Sequence, residues 1–242
     1  MNRRLFTLAL TAFAASMALA AASAPLRPAE DMARDAARKP AAMMAFAKVK
    51  PGQVVVDMMP GGGYFTRVFS NAVGSKGKVI ALVPDALAAR KPEAATGMQA
   101  LAAEPGLSNV SVAVQPLTNL GAPSSVDLVW TAQNYHDLHN PTLPAQTLTF
   151  VNKAVFAALK PGGLYIVLDH VAASGSGLRD VNTLHRIDPT VVKAEVLAAG
   201  FTFGGESKVL ANPADDHSKG VFDPSVRGHT DQFIYRFRKP LK

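Results

Sequence analysis

The stretch Val54-Val-Val-Asp-Met-Met-Pro-Gly-Gly-Gly-Tyr-Phe-Thr-Arg-Val-Phe69 decides how the rest of the chain is read. A valine run ends in an acid, Asp57, then Pro60, Gly61, Gly62 and Gly63 form a turn, and Tyr64 and Phe65 open a helix. A buried strand that breaks into such a turn reads as a ligand cradle, the alternative being a tight strand-to-helix turn with nothing bound. Residues without a Cβ let backbone N–H groups come close to a ligand, and the helix N-terminus favours carboxylate or phosphate. Asp57, at the strand end, can accept hydrogen bonds from a ligand's ammonium or hydroxyl groups. One position departs from the usual turn, because Met59 stands where a glycine is expected two residues after the acid.

Outward from this turn, strands and helices alternate. Valine-rich or apolar runs predict strands over 53–57, 77–83, 110–114, 126–131, 164–169, 201–210 and 232–238. Between them lie helices over 64–73, 86–90 with Asp85 as N-cap, 92–103, 145–159 and 189–199. Lys160-Pro-Gly-Gly163 is expected to stop the fourth of these, and Asp188-Pro189 starts the last. A helical segment broken at Lys39-Pro40 is expected over 28–49, ahead of the first strand. This alternation predicts an α/β fold, a mostly parallel sheet with helices on both faces, in one domain over 25–242.

The first residues have the form of an export signal: Arg3 and Arg4, an apolar stretch from Leu5 to Ala18, and small-residue cleavage sites at Ala18-Leu-Ala20 and Ala22-Ser-Ala24. Cleavage after Ala20 is preferred, because Pro25 would follow the later site directly. Asn2-Arg-Arg-Leu-Phe-Thr-Leu8 resembles a twin-arginine signal, a route that exports folded proteins. A periplasmic or secreted protein is expected, without stable membrane insertion once the signal is removed. The net charge of +7 falls to +5 without Arg3 and Arg4, and no basic cluster with interleaved aromatics points to nucleic acid. With no cysteine, disulfides, thiolate metal sites and a cysteine nucleophile are excluded. The oligomeric state is not legible.

In an open parallel sheet, ligands bind beyond the carboxyl ends of the strands. All 6 histidines fall in segments that follow strands. Gln133-Asn-Tyr-His-Asp-Leu-His-Asn140 follows the fourth, and Asp169-His170 with the long run to Asp188 follows the fifth.

These motifs, together with Asp127-Leu-Val-Trp-Thr-Ala-Gln-Asn-Tyr-His-Asp-Leu-His139, Leu159-Lys-Pro-Gly-Gly-Leu-Tyr-Ile-Val-Leu-Asp-His170 and Asn182-Thr-Leu-His-Arg-Ile-Asp-Pro189, resemble class I S-adenosylmethionine-dependent methyltransferases, in particular exported bacterial members. The resemblance spans residues 40–240. It implies a Rossmann-like seven-stranded sheet in the order 3-2-1-4-5-7-6 with the last strand antiparallel, S-adenosyl-L-methionine as cofactor and a small molecule as methyl acceptor. It implies cofactor contacts from Asp57, Met59, Pro60, Gly61, Gly62, Gly63, Tyr64 and Phe65. The family's ribose-binding acid would fall near Val83 or Pro84; Asp85 comes one or two residues late and reads more naturally as a helix cap. Met59 is expected to crowd the cofactor.

Acceptor-side chemistry would come from Asn134, Tyr135, His136, Asp137 and His139, with His136 or His139 as general base and Tyr135 as pocket wall. Asp169-His170 could orient a second imidazole, and Arg179 or Arg186 could grip an anionic substrate. A competing chemistry gathers His136, His139, Asp137, Asp169 and His170 around zinc, manganese or iron, although no spacing specific to a metal is present. A third reading is an exported binding protein on a methyltransferase scaffold.

Overall fold

In the computed structural model, which describes residues 27–121 and 125–242, the valine run becomes β1 (Val54–Met58). The expected export signal lies outside the described residues. Six more strands follow: β2 (Lys78–Pro84), β3 (Val110–Gln115), β4 (Val126–Ala132), β5 (Leu159–His170), β6 (Thr202–Ser207) and β7 (Gln232–Arg238). They form one sheet in the order 3-2-1-4-5-7-6. β1 to β5 are mutually parallel where they pair, and β7 runs antiparallel to both β5 and β6. This is the order the resemblance implied.

Alternation along β1 divides the molecule into two apolar layers. Val56 and Met58 face one side with Ile80, Val129 and Val167. Val55 faces the other with Val79, Trp130 and Ile166. The first layer is covered by α7 (Thr147–Ala158) and α8 (Pro189–Ala198). The second is covered by α3 (Pro40–Phe46), α4 (Tyr64–Val73) and α6 (Pro92–Ala102). Trp130 anchors the second layer, its ring 4.7 Å from Phe65 and 5.4 Å from Phe69. With its side chain on this layer, Asp57 ends up beneath α4 rather than in solvent.

Three local expectations change. The segment ahead of β1 is three short helices, α1 (Ala29–Ala33), α2 (Asp35–Arg38) and α3, with Lys39 left-handed at φ 47° where Pro40 starts α3. The stretch Lys160–Gly163 does not separate helix from strand; it is a bulge inside β5. Leu159 pairs with Val126, the register shifts, and Leu164 resumes opposite Leu128. Gly162 N–H and Gly163 C=O are taken up by Lys239, so the chain end closes the ladder at the bulge. Pro84 rather than Asp85 occupies the N-cap of α5 (Asp85–Arg90); the Asp85 carboxylate accepts from the N–H of Ala86 at 2.7 Å.

Candidate functional site

The turn after β1 is built by left-handed backbone at three positions: Met59 (φ 52°), Gly61 (φ 57°) and Gly63 (φ 78°). Met59 thus adopts a conformation that glycine takes readily, at the cost of placing an L-residue where its Cβ is crowded. Its side chain packs against the first apolar layer. Gly63 is needed for close approach, since a Cβ there would lie 2.1 Å from Leu101 Cδ1. At Gly61 and Gly62 an added Cβ would meet nothing within 4 Å. Asn134 ties the turn to the end of β4: its side-chain amide donates to Met59 C=O at 3.0 Å and its oxygen accepts from Thr131 Oγ1.

Beyond the strand ends lies a cavity of about 340 Å³, lined by Asp57, Met59, Pro60, Gly61, Gly62, Tyr64, Phe65, Val83, Pro84, Gln133, Asn134 and Asp137. Its volume is in the ~300–1,000 Å³ range of small-molecule sites. Gly63 and Asp85 are not on this wall. Asp85 lines an adjoining, more apolar space of about 390 Å³ that shares Met59, Pro84, Leu87 and Asp137 with the first. The end of β2 therefore offers Val83 to the main cavity and a carboxylate only to its neighbour.

Asp57 is buried and accepts from Thr66 Oγ1 at 2.6 Å. Burial pushes its carboxyl up to about 7, against the opposing pull of the Thr66 hydroxyl and the Arg38 charge. The short N-terminal helices roof the turn. Tyr64 donates to Asp35 Oδ1 at 2.6 Å, Arg27 grips Asp35 at 2.9 and 3.0 Å, and Arg27, Arg34 and Arg38 stand 4.7–5.0 Å from the Tyr64 ring. Such packing of guanidinium on an aromatic face is favourable. Arg34 and Arg38 line the cavity. Among the described residues Arg38 forms no ion pair, and its side chain makes one hydrogen bond, 3.4 Å to Gln133 Oε1. These arginines were not singled out in the sequence, although their i, i+4 spacing near the chain start would place both on one helix face.

The acceptor-side candidates separate. His136 is buried on a single 3-10 turn, with Nδ1 2.9 and 3.0 Å from the Asp169 oxygens and its backbone N–H 2.9 Å from Oδ2. Burial disfavours the charged imidazole, but the Asp169 carboxylate overrides this and raises the His136 pKa. His136 Nε2 lies 3.2 Å from Nδ1 of His185, a residue that was not singled out. His185 is brought there because Ile187 returns to the end of β5: its N–H donates to His170 C=O, and its C=O accepts from Ala172. His170 points elsewhere, to Thr230 Oγ1 at 2.7 Å, and lines a third cavity of about 350 Å³ with Arg34, Arg38 and Gln133. Burial lowers its pKa to about 4.

Three expectations are corrected. Tyr135 is not a wall of the main cavity; it is fully buried and its hydroxyl is held by Asn152 and Glu195. His139 points to Glu195 at 3.3 Å and lines a separate space beside α7 and α8. Arg186 cannot grip a substrate. It is fully buried, its guanidinium 2.9–3.0 Å from Asp215, with further hydrogen bonds to Lys219 and Val171 C=O. The metal set expected from the sequence also breaks up, since His139 and His170 have other partners and Asp169 stands behind His136. Asp188, read as a helix cap, accepts from Thr190 N–H at the start of α8.

No protein-family model matches this sequence, and no curated protein matches it. Solved structures do share the fold. An S-adenosylmethionine-dependent methyltransferase from Aquifex aeolicus aligns over 88% of this chain and 99% of its own, with TM-score 0.60 and 19% identity. The [4+2]-cyclase SpnF aligns over 86% and 82%, with TM-score 0.63 and 18% identity. An S-adenosylmethionine-dependent O-methyltransferase from Thermotoga maritima aligns over 85% and 66%, with TM-score 0.53 and 16% identity. At these identities the likeness establishes a class I methyltransferase-like fold.

Proposed function

We propose that the chain is an exported S-adenosyl-L-methionine-dependent methyltransferase acting on a small molecule. The observation that carries this reading is the cavity at the ends of β1, β2 and β4, where a glycine turn open at Gly61 and Gly62 faces a buried acid, Asp57, and Arg38, which has no ion pair among the described residues. The residues fit the cofactor by charge. Asp57 suits a cationic group, Arg38 suits a carboxylate, and the apolar space shared through Met59, Pro84 and Leu87 suits a nucleobase. When bound, the cofactor supplies an electrophilic methyl group on a sulfonium centre. The protein's share is to hold the acceptor in line and to manage its proton. His136, oriented by Asp169, is the acid–base group of this reading, with Asp137 beside it on the cavity wall.

SpnF bears on the choice, because a protein named as a cyclase shares this fold; fold by itself does not fix the reaction. Ligand binding is therefore tested before turnover. S-adenosylmethionine and S-adenosylhomocysteine are expected to raise the melting temperature, and adenosine or methionine to do so much less. No shift with either adenosyl ligand contradicts the reading. Export belongs to the same proposal. Intact mass of protein recovered from outside the producing cell's cytoplasm should start at Ala21, and a retained Met1 overturns export by cleavage.

A further inference from the structure

His136, Asp137 and His185 place three ligand atoms around one point. His136 Nε2 is 3.2 Å from His185 Nδ1 and 3.5 Å from Asp137 Oδ1, and His185 Nδ1 is 3.9 Å from the same Oδ1. The point equidistant from these atoms lies about 2.1 Å from each, which matches metal–nitrogen and metal–oxygen bonds of ~2.0–2.2 Å. We propose that these three side chains form a binding site for a divalent transition-metal ion at the edge of the main cavity.

Four independent features support it. The first is the tautomer. Asp169 is fully buried and its carboxylate accepts a hydrogen bond from His136 Nδ1–H, which leaves Nε2 of the neutral imidazole facing the point. A carboxylate behind a histidine in this way is the usual support of a metal-bound imidazole. The second is donor chemistry: two imidazoles and one carboxylate bind zinc, and with open positions also iron(II). The third is accessibility. Asp137 lines both the main cavity and the adjoining apolar space, so an ion there would keep positions open to a ligand.

The fourth feature is backbone. His185 sits at φ 54°, a conformation that few residues other than glycine adopt. It is held there by its neighbours: Arg186 is locked into the Asp215 pair and Leu184 N–H donates to Asp180 C=O. The Phe222 ring packs edge-on at 5.0 Å from the His185 ring. Lys39 and Lys48 also adopt left-handed backbone, and at His185 its effect is to fix the turn that holds Nδ1 3.2 Å from His136 Nε2.

Metal binding stands independently of the methyl donor. Only the ion's use rests on the methyltransferase reading: its open positions would take an oxygen donor of the small-molecule acceptor, a hydroxyl or carboxylate, and orient it. His136 would then serve as a ligand rather than as a base.

The test is calorimetric titration of the chelator-treated, desalted full chain with Zn2+ and, separately, Mn2+ and Fe2+, with elemental analysis of the dialysed product. At least one of the three is expected to bind at one equivalent per chain. His185→Asn and Asp137→Asn should each weaken that binding at least tenfold. Asparagine tolerates left-handed backbone, so His185→Asn removes the ligand while keeping the turn; metal-free melting temperatures within a few degrees of the parent show that both variants fold. No saturable binding of any of the three ions, or unchanged affinity in both variants, overturns the site and leaves His136 and His185 as a hydrogen-bonded pair. The same preparations are titrated with S-adenosylhomocysteine. Metal binding without adenosyl binding sustains this proposal and defeats the methyl-donor reading, and the converse separates them the other way.

Discussion

Asp57 has two duties that pull against each other. It packs at the end of β1 under α4, largely shielded from water, and it is the carboxyl group offered to the cavity. Because burial raises its folded pKa to about 7, above the ~3.9 of an unfolded chain, the folded state holds the proton more tightly. Stability from this residue is therefore fully present below about pH 4 and is lost as pH rises through about 7. The melting temperature of the parent should fall relative to Asp57→Asn between pH 5 and pH 8, and a pH-independent difference contradicts the shifted pKa. The acid and the glycines are legible in sequence because strand, turn and helix each leave a local signature. Met59 is not. Nothing local says that a methionine will take φ 52°; that follows from Asn134, far along the chain, holding its carbonyl.

At the scale of elements, the strands and most helices are legible from periodicity, since each buries its apolar face against the sheet. The loops that follow β5 and β6 are legible only as polar segments. Alongside backbone hydrogen bonds such as Val221 N–H to Leu184 C=O, they are tied together by one buried pair, Arg186 with Asp215, whose side chains are 0% and 1% exposed. That pair fastens the loop carrying His185 to the loop ahead of β7, and Asp215 also accepts from the N–H groups of His217 and Asp231. Removing one partner of such a pair leaves a buried charge uncompensated, which costs ~3–5 kcal/mol. Arg186→Met should lower unfolding free energy by about that amount in a denaturant titration, and a loss below ~1 kcal/mol contradicts the structural role assigned here. An arginine beside a histidine-rich segment looks like a substrate ligand in sequence. Its partner lies 29 positions away, and only the fold reveals that each of its three guanidinium nitrogens already has a partner.

For the molecule as a whole, the strand order brings the ends of β1, β2 and β4 together and gives them one cavity. The N-terminal helices roof it with Arg34 and Arg38, and the segment after β4 closes its far edge with Gln133, Asn134 and Asp137. The sheet order is reachable from the sequence because the four quoted motifs keep their relative positions. The roof is not, because short helices owe their place to contacts with Tyr64 rather than to their own periodicity. The central claim is that this cavity takes an adenosyl ligand against the glycine turn. The direct test is calorimetric titration of S-adenosylhomocysteine into the parent and Gly62→Val. Gly62 lines the cavity without left-handed backbone, and a Cβ there meets nothing within 4 Å, so the variant should fold as the parent does while its side chain obstructs the turn. The account predicts saturable one-to-one binding to the parent, weakened at least tenfold in Gly62→Val at an unchanged melting temperature. Absence of binding to the folded parent, or equal affinity in both proteins, would contradict it.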